Sequence, residues 1–236
     1  MFGPLKKSKI ILDLKHLIYP EICLSCGNEL SHSEKHLCGP CGNELSYTNM
    51  NAVSKEENRL EKLFWGRIPL VFGYTHLFFE KKAVSQKVLF RIKYRSDPKL
   101  AVFFGGQIGT VLKEHYADNL PDIIIPIPLH HRKKFIRGYN QSEELAKGME
   151  KTSGIPYSDK LVKRRRFTET QTKKSRFERW ENLSEAFEVS DTITQHRHLL
   201  LVDDVATTGS TIEQVYLTIR AMHPEVRVSV VTLAIA

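Results

Sequence analysis

One run of thirteen residues, at positions 199–211, limits the fold of this chain most strongly. It passes from an apolar segment to the adjacent pair Asp203 and Asp204, and then to small and hydroxylated residues that open a helical pattern. A short, continuous apolar run bounded in this way is typical of a strand buried on both faces of a parallel sheet. The run therefore predicts a buried strand that leads directly into a helix, with polar side chains at the junction.

The chain from residue 70 onward repeats this order of strand and helix. Further strands are predicted at 70–79, 122–128 and 226–235, and helices at 82–94, 100–112, 140–151 and 209–222. Asn140 is placed to cap the third of these helices. Alternating strands and helices predict an α/β fold, with a mainly parallel sheet and helices on both faces. Residues 49–61 are expected to form a linker or a solvated helix.

The junction after the strand has residue types that suit a phosphorylated sugar. Open α/β sheets bind ligands at the carboxyl ends of their strands, where Asp203 and Asp204 can accept hydrogen bonds from a ribose diol. Small side chains from Ala206 to Thr211 let backbone N–H groups approach a phosphate at a helix N-terminus. Because two carboxylates repel a phosphate, Mg²⁺ is expected with the ligand. The alternative is an ordinary strand followed by an N-cap.

Four cysteines form two Cys-x-x-Cys pairs: Cys23 with Cys26, and Cys38 with Cys41. Zn²⁺ prefers four tetrahedral ligands, and two thiolates so spaced on a tight turn can face one ion. Gly27 and Gly42, which follow the pairs, are expected to have positive φ. The spacing predicts a structural zinc ribbon, with disulfides or unconnected buried thiols as the alternatives.

Composition narrows the classes of protein further. The 236 residues are 41% hydrophobic and 26% charged, which excludes a disordered chain. No apolar run in the sequence reaches the roughly 18 residues of a membrane span, and no export signal is recognised, so a cytoplasmic location is expected. The net charge of +8, from 35 Lys and Arg against 27 Asp and Glu, favours polyanionic partners.

Residues 126–142 follow a predicted strand and are basic. They are expected either to close over a pyrophosphate as a flexible flap, with Gly138 as a hinge, or to form a solvated loop. Lys133 and Lys134 contribute charge to this segment. The candidate flap residues are His130, Arg132, Arg137, Gly138, Asn140 and Gln141.

A second basic segment, residues 163–179, carries eight basic residues against two glutamates, with aromatic residues interleaved. This pattern fits either a groove for single-stranded nucleic acid or a solvated face whose rings point into the core. Phe187, beyond the segment, is expected in the core. The candidate nucleic-acid residues are Arg164, Arg165, Arg166, Lys173, Lys174, Arg176 and Arg179.

Together these motifs resemble the ComF/GntX family, whose members join a four-cysteine zinc ribbon to a type I phosphoribosyltransferase-like domain. The 199–211 run resembles the phosphoribosyl pyrophosphate (PRPP) signature of type I phosphoribosyltransferases. The other matching blocks are the cysteine pairs, Pro-Leu-His-x-x-Arg-x-x-x-Arg-Gly-Tyr-Asn-Gln at 128–141, and Thr168-x-x-Gln171 with Arg179-x-x-Asn182-x-x-x-Ala186-Phe187. The resemblance implies a zinc-ribbon unit at 1–50 and a phosphoribosyltransferase-like domain at 51–236.

The resemblance also implies a ligand and partners. PRPP, or a related phosphorylated ribose, would bind with Mg²⁺ at Asp203, Asp204, Val205, Ala206, Thr207, Thr208, Gly209, Ser210 and Thr211. The family's association with natural competence implies handling of single-stranded DNA, with a competence helicase as a partner. Transfer of ribose 5-phosphate to an acceptor, and PRPP sensing without turnover, are the alternatives. The chain departs from the family pattern at Ser96, where Gly is usual, and at Lys174, where Leu is usual.

Overall fold

A computed structural model of the chain describes residues 20–48, 58–165 and 186–236. Its helices are α1 (Gly39–Asn43), α2 (Arg59–Phe64), α3 (Val84–Tyr94), α4 (Pro98–His115), α5 (His131–Arg137), α6 (Gln141–Ser153) and α7 (Ser210–Met222). Its strands are β1 (Leu70–Phe78), β2 (Ile123–Pro126), β3 (Val162–Arg164), β4 (Phe187–Val189), β5 (His198–Ala206) and β6 (Arg227–Ile235).

Four of these strands form one parallel sheet in the order β1-β6-β5-β2. The strand predicted from the 199–211 run is β5, which lies inside the sheet: Leu201 pairs with Val230 on one side and with Ile125 on the other. β3 and β4 form a separate antiparallel pair. Because the four strands are parallel, their carboxyl ends meet at one edge of the sheet.

Alternate side chains of β5 enter two hydrophobic clusters, one on each face of the sheet. Leu200 and Val202 pack with apolar side chains of α3, α4 and α6, whereas Leu199 and Leu201 pack with those of α2 and α7. All four side chains are fully buried. This double burial is the physical reason for the continuous apolar run. The predicted parallel sheet with helices on both faces is confirmed.

Glycines let α4 and α6 lie in backbone contact on one face of the sheet. A Cβ on Gly148 would overlap the carbonyl oxygen of Val102, and a Cβ on Gly105 would overlap that of Leu145. A close-packed interior has no room for side chains at these crossing points. The contact fixes the position of α6, whose first residues reach the functional site.

The cysteine-bearing segment 20–48 packs on the same face. Its Leu30, Leu37 and Leu45 belong to the hydrophobic cluster of α3 and α4. Tyr47 forms an antiparallel bridge with Leu77 at the outer edge of β1. Within the described ranges, no helix has the length and apolar character needed to span a membrane.

Two segments differ from the sequence-based expectation. Where a linker or a solvated helix was expected, residues 59–64 form α2, and its Leu60 and Phe64 are fully buried in the second cluster. Residues 49–57 lie outside the described ranges. Residues 131–137, expected in a loop, form the short helix α5, none of whose residues is buried.

Candidate functional site

The loop between β5 and α7 turns at Gly209. Its φ of +70° lies in the left-handed region that favours glycine, and a Cβ there would lie 2.6 Å from Phe64 Cε1. Thr207, Thr208 and Ser210 are exposed beside it. The loop surrounds a small polar hollow lined by residue 203 and residues 205–212. Backbone N–H groups and hydroxyls at this helix start can therefore reach an anion.

Arg67 holds this loop from the side of α2. Its NH1 donates hydrogen bonds to the carbonyl oxygens of Thr208, at 2.8 Å, and Leu63, at 3.1 Å, while its NH2 pairs with Glu213 on α7. The hydrogen bond with Arg67 lowers the pKa of Glu213. Arg67 was not predicted from the sequence, because 141 positions separate it from Thr208.

Asp203 is held near the carboxyl end of β5. Its Oδ1 accepts hydrogen bonds from Ser142 Oγ, at 3.0 Å, and from the Asp204 N–H, at 2.8 Å. Protein atoms surround this carboxyl, although part of the residue remains accessible. This burial, together with the neighbouring charge of Asp204, raises the pKa of Asp203 to about 7. Asp203 therefore keeps its proton to a higher pH than an ordinary aspartate does.

Asp204 faces two cations. Its Oδ2 lies 3.3 Å from Lys93 Nζ and 3.9 Å from Arg137 NH1. The Arg137 guanidinium also donates to Gln141 Oε1, at 2.8 Å, and lies 5.6 Å from the centre of the Tyr94 ring. The exposed fractions of the Lys93, Arg137 and Asp204 side chains are 22%, 11% and 13%, so solvent screens these pairs little.

Lys93, Arg137, Asp203 and Asp204 line one cleft of about 140 Å³ at the carboxyl edge of the sheet. Its charged and polar residues are Lys93, Lys133, Arg137, Gln141, Ser142, Arg164, Asp203, Asp204 and Thr211. Two carboxyl groups and four cations thus face a common space. Such a set can bind a ligand that carries both hydroxyls and anionic groups.

Among the candidate flap residues, Arg137 and Gln141 line the cleft. Asn140 holds the backbone of a residue that lines the cleft: its Nδ2 donates to the Ile127 carbonyl at 3.0 Å. Its Oδ1 accepts a hydrogen bond from the Ser142 N–H, which confirms Asn140 as the cap of α6. Ser142 itself was not predicted, although it directly follows the Asn-Gln pair of the motif.

The other candidate flap residues belong to α5 and its ends. His130 caps the helix by accepting a hydrogen bond from the Arg132 N–H, and Gly138 ends it with a φ of +80°. Burial, followed by the charge of His131, lowers the pKa of His130. Arg132 lies on the exposed surface of the helix. The basic segment is thus ordered as a helix at the rim of the cleft.

The turn between α3 and α4 contains Ser96, at the position where glycine is usual in the family. Ser96 has a φ of +49°, in the left-handed region. Its Oγ donates to the Arg137 carbonyl at 3.4 Å, so this turn contacts the end of α5. The glycine that is usual here therefore has a conformational reason.

Of the predicted nucleic-acid patch, the structure describes Arg164 and Arg165. Arg164 lines the cleft, with its Cζ 5.3 Å from the ring centre of the buried Phe187. Burial lowers the pKa of Arg164. Arg165 is exposed. Arg166, Lys173, Lys174, Arg176 and Arg179 lie beyond the described residues.

A second cavity, of about 340 Å³, adjoins the cleft. The two share Pro128, Leu129 and Arg164 as a common wall. The second cavity also has charged groups of both signs, including Glu143 and Asp159. It offers space for a second molecule beside whatever the cleft binds.

The four cysteines lie together in segment 20–48. The sulfurs of Cys23, Cys26, Cys38 and Cys41 are within 4.8 Å of one another, an arrangement that can hold a metal ion. Glu34, between the two Cys pairs, accepts hydrogen bonds from Ser31 N–H, at 2.8 Å, and from Gly39 N–H beside Cys38, at 2.6 Å. Gly27 has the expected positive φ, of 79°. Gly42 does not, because it lies within α1 and follows helical geometry.

Fold and site together define an α/β protein with a glycine-turned loop and an acidic pair at the carboxyl edge of a parallel sheet. Competence protein F of Haemophilus influenzae is 30% identical over 205 residues, which are 86% of this chain and 80% of that protein. The chain belongs to the ComF family. DNA utilization protein YhgH of Shigella flexneri is 40% identical over 96 residues, which are 41% of this chain and 42% of YhgH.

No protein-family model matches the chain. Among solved structures, a glutamine PRPP amidotransferase from B. subtilis, complexed with ADP and GMP, aligns with a TM-score of 0.42 and 15% identity. The alignment covers 61% of this chain and 30% of the amidotransferase chain. Similarity at this level carries no information about what this chain binds.

Proposed function

We propose that the cleft binds PRPP, or a closely related phosphorylated ribose, together with Mg²⁺. The observation that carries this proposal is that the acidic pair and four cations line one cleft, and that this cleft shares Asp203 and Thr211 with the hollow of the β5–α7 loop. The loop would receive the 5-phosphate at the start of α7, and the acidic pair would receive the ribose hydroxyls. Lys93 and Arg137 would contact the pyrophosphate, which would replace Asp204 as their partner.

Mg²⁺ suits this donor set because it is held by one or two carboxylates together with phosphate oxygens of the substrate. Asp203 and Asp204 are the carboxylates within the cleft. When bound, the ion would offset the repulsion between them and the phosphates.

We further propose that the chain handles single-stranded DNA in DNA uptake or utilisation. The names of two relatives, Competence protein F and DNA utilization protein YhgH, support this role. A competence helicase as a partner remains a prediction from the family. In this proposal, residues 1–50 form the metal-binding unit and residues 51–236 the PRPP-binding domain.

The metal proposed for the first unit is Zn²⁺. Four thiolates around Zn²⁺ with bonds of about 2.3 Å lie about 3.8 Å apart in a tetrahedron. Cys26 Sγ and Cys38 Sγ are 3.7 Å apart, which fits this geometry. The ion would be structural, since four protein ligands leave no open position.

Catalytic transfer is the second candidate function, and the adjoining cavity supports it. An acceptor there would lie next to the bound sugar, where the two spaces adjoin at Pro128, Leu129 and Arg164. Transfer would break the bond between ribose C1 and pyrophosphate, form a bond from C1 to the acceptor, and release pyrophosphate with its electron pair. Sensing of PRPP without turnover uses the same cleft residues.

The test is a titration of the zinc-loaded protein with PRPP and Mg²⁺, followed by assay of pyrophosphate release with and without nucleobases and single-stranded DNA. We expect saturable PRPP binding that is lost in the double variant Asp203→Ala and Asp204→Ala, with the fold retained by circular dichroism. Unchanged affinity in that variant contradicts the site assignment. Acceptor-dependent release of pyrophosphate identifies a transferase, whereas binding without release identifies a PRPP-binding protein.

A further inference from the structure

Large aromatic side chains are exposed on α3 and α5 beside the cleft. Phe90 and Tyr94, one turn apart on α3, are 51% and 59% exposed, and their ring centres are 5.2 Å apart. Phe135 on α5 is 89% exposed. Single exposed apolar side chains are common on proteins, but a group of rings next to a ligand cleft marks an interaction surface.

The ends of α3 and α5, the two helices that carry these rings, are in contact. The Arg137 guanidinium lies over the Tyr94 ring, and Ser96 Oγ donates to the Arg137 carbonyl. The Tyr139 hydroxyl, just after α5, donates to the Ile92 carbonyl of α3. Arg137 also lies 3.9 Å from Asp204, so the same residue borders the aromatic region and the cleft.

The region is also basic. Arg132, Lys133 and Lys134 are exposed on α5, a helix without an acidic residue, and Arg95 is exposed at the end of α3. Two acidic groups lie near it: Glu143 Oε2 is 3.9 Å from Lys134 Nζ, and Asp97 Oδ2 is 3.0 Å from Arg91 Nε of α3. Cations alone would suit an acidic protein segment, and rings alone an apolar one. The two together suit single-stranded nucleic acid, which carries both phosphates and unpaired bases.

We propose that this α3–α5 surface, made up of Phe90, Tyr94, Phe135 and the cations Arg95, Arg132 and Lys134, binds single-stranded nucleic acid. Unpaired bases stack on the rings and the cations contact the phosphates. The proposal rests on the proposed function in taking DNA as the polymer. In this proposal the DNA contacts lie on α3 and α5 at the rim of the cleft, and not on the basic segment 163–179.

The experiment measures binding of a labelled oligothymidine of about 30 nucleotides to the full metal-loaded chain, with a duplex of equal length in parallel. The double variant Phe90→Ala and Phe135→Ala should bind the single strand more weakly, by about fivefold to 150-fold for each stacked base that is lost. Its duplex affinity and the salt dependence of its single-strand binding should stay unchanged.

Charge variants test the phosphate contacts separately. Arg95→Gln and Lys134→Gln should each reduce the slope of log affinity against log salt by about 0.7 for a lost contact. Trp65→Ala is the matched control, because Trp65 is 63% exposed and lies beside Lys62 but outside the α3–α5 surface. This control should bind the single strand as the unchanged protein does.

Each outcome decides the proposal. Unchanged single-strand affinity in the Phe90 and Phe135 double variant overturns it, and so does an equal loss for single strand and duplex. PRPP titration of the same proteins separates the two proposals. If the unchanged chain fails to bind PRPP while the aromatic variant still loses single-strand binding, the PRPP proposal falls and the α3–α5 surface stands.

Discussion

Lys93 Nζ lies 3.3 Å from Asp204 Oδ2, which ties a helix on one face of the sheet to the end of an inner strand. Lys93 belongs to α3, near its last turn, and Asp204 to β5. The ion pair offsets part of the cost of placing Asp204 beside Asp203. A ligand that brings phosphates to Lys93 and hydroxyls or Mg²⁺ to Asp204 would exchange this pair for contacts with itself.

Replacing Lys93 with Met should weaken PRPP binding by about tenfold or more, because a charge-assisted contact to the ligand is lost. Calorimetric titration measures the change. Lys99→Met is the control, since Lys99 is exposed on α4 and outside the cleft. Equal affinity of the two variants would show that Lys93 does not contact the ligand.

The raised pKa of Asp203 predicts proton release on ligand binding. With a pKa of about 7, Asp203 carries a proton in part of the molecules at neutral pH, and Mg²⁺ requires the ionised form. The affinity for PRPP and Mg²⁺ should therefore rise as the pH rises through 7 and level off above it. Titration in buffers of different ionisation enthalpy measures the released protons, and a count of zero contradicts the assignment.

The same pKa predicts the opposite trend for the stability of the unliganded protein. The folded state binds the Asp203 proton more tightly than the unfolded state does. The contribution of this proton to the free energy of unfolding is therefore complete below the unfolded pKa near 4. It is lost as the pH rises through about 7. Asp203→Asn should flatten the pH dependence of the free energy of unfolding in this range, which urea titrations at several pH values measure.

Arg67→Ala should weaken phosphate binding without unfolding the chain, because Arg67 holds the Thr208 carbonyl and Glu213 but does not line the cleft. We expect an increase in the Kd for PRPP of about tenfold, comparable with the loss of a positioning hydrogen bond. Glu213→Gln should have a smaller effect in the same direction. An Arg67 variant with unchanged Kd would limit its role to stability.

Gly148→Ala should lower the free energy of unfolding by about 1–3 kcal/mol or more, because the added methyl group overlaps the Val102 carbonyl. Gly106→Ala is the matched change on α4, where the nearest atoms to a Cβ lie at ordinary contact distance, 3.7 Å. It should be neutral or stabilise the chain by up to about 1 kcal/mol. Chemical denaturation compares the two, and a similar loss in both would contradict the close helix contact.

Removing the proposed Zn²⁺ from the cysteine site should lower the melting temperature. Segment 20–48 has few apolar residues of its own, and its Leu30, Leu37 and Leu45 pack against α3 and α4. Loss of the ion should release this packing and lower the unfolding free energy by about a few kcal/mol. Thermal melts with and without a zinc chelator, and of Cys26→Ser, measure the effect.

The order of the main strands and helices followed from the sequence because burial leaves a local pattern. The apolar run of β5, the spacing of apolar residues in α3 and α4, and the Asn140 cap are each contained within one segment. The acidic pair and the cysteine pairs are local in the same sense. Their residue types and spacing predict a site for a phosphorylated sugar and a metal site.

The partners of these groups were decided by the tertiary structure. Lys93, Ser142 and Arg164 come to Asp203 and Asp204 from three separate elements, and Arg67 reaches Thr208 across 141 positions. No local pattern records such contacts, because they arise when distant elements pack on the same sheet edge. The pKa of Asp203 depends on the same assembly, since burial and neighbouring charge exist only in the folded chain. Sequence determined which groups this protein carries, and packing decided which of them meet.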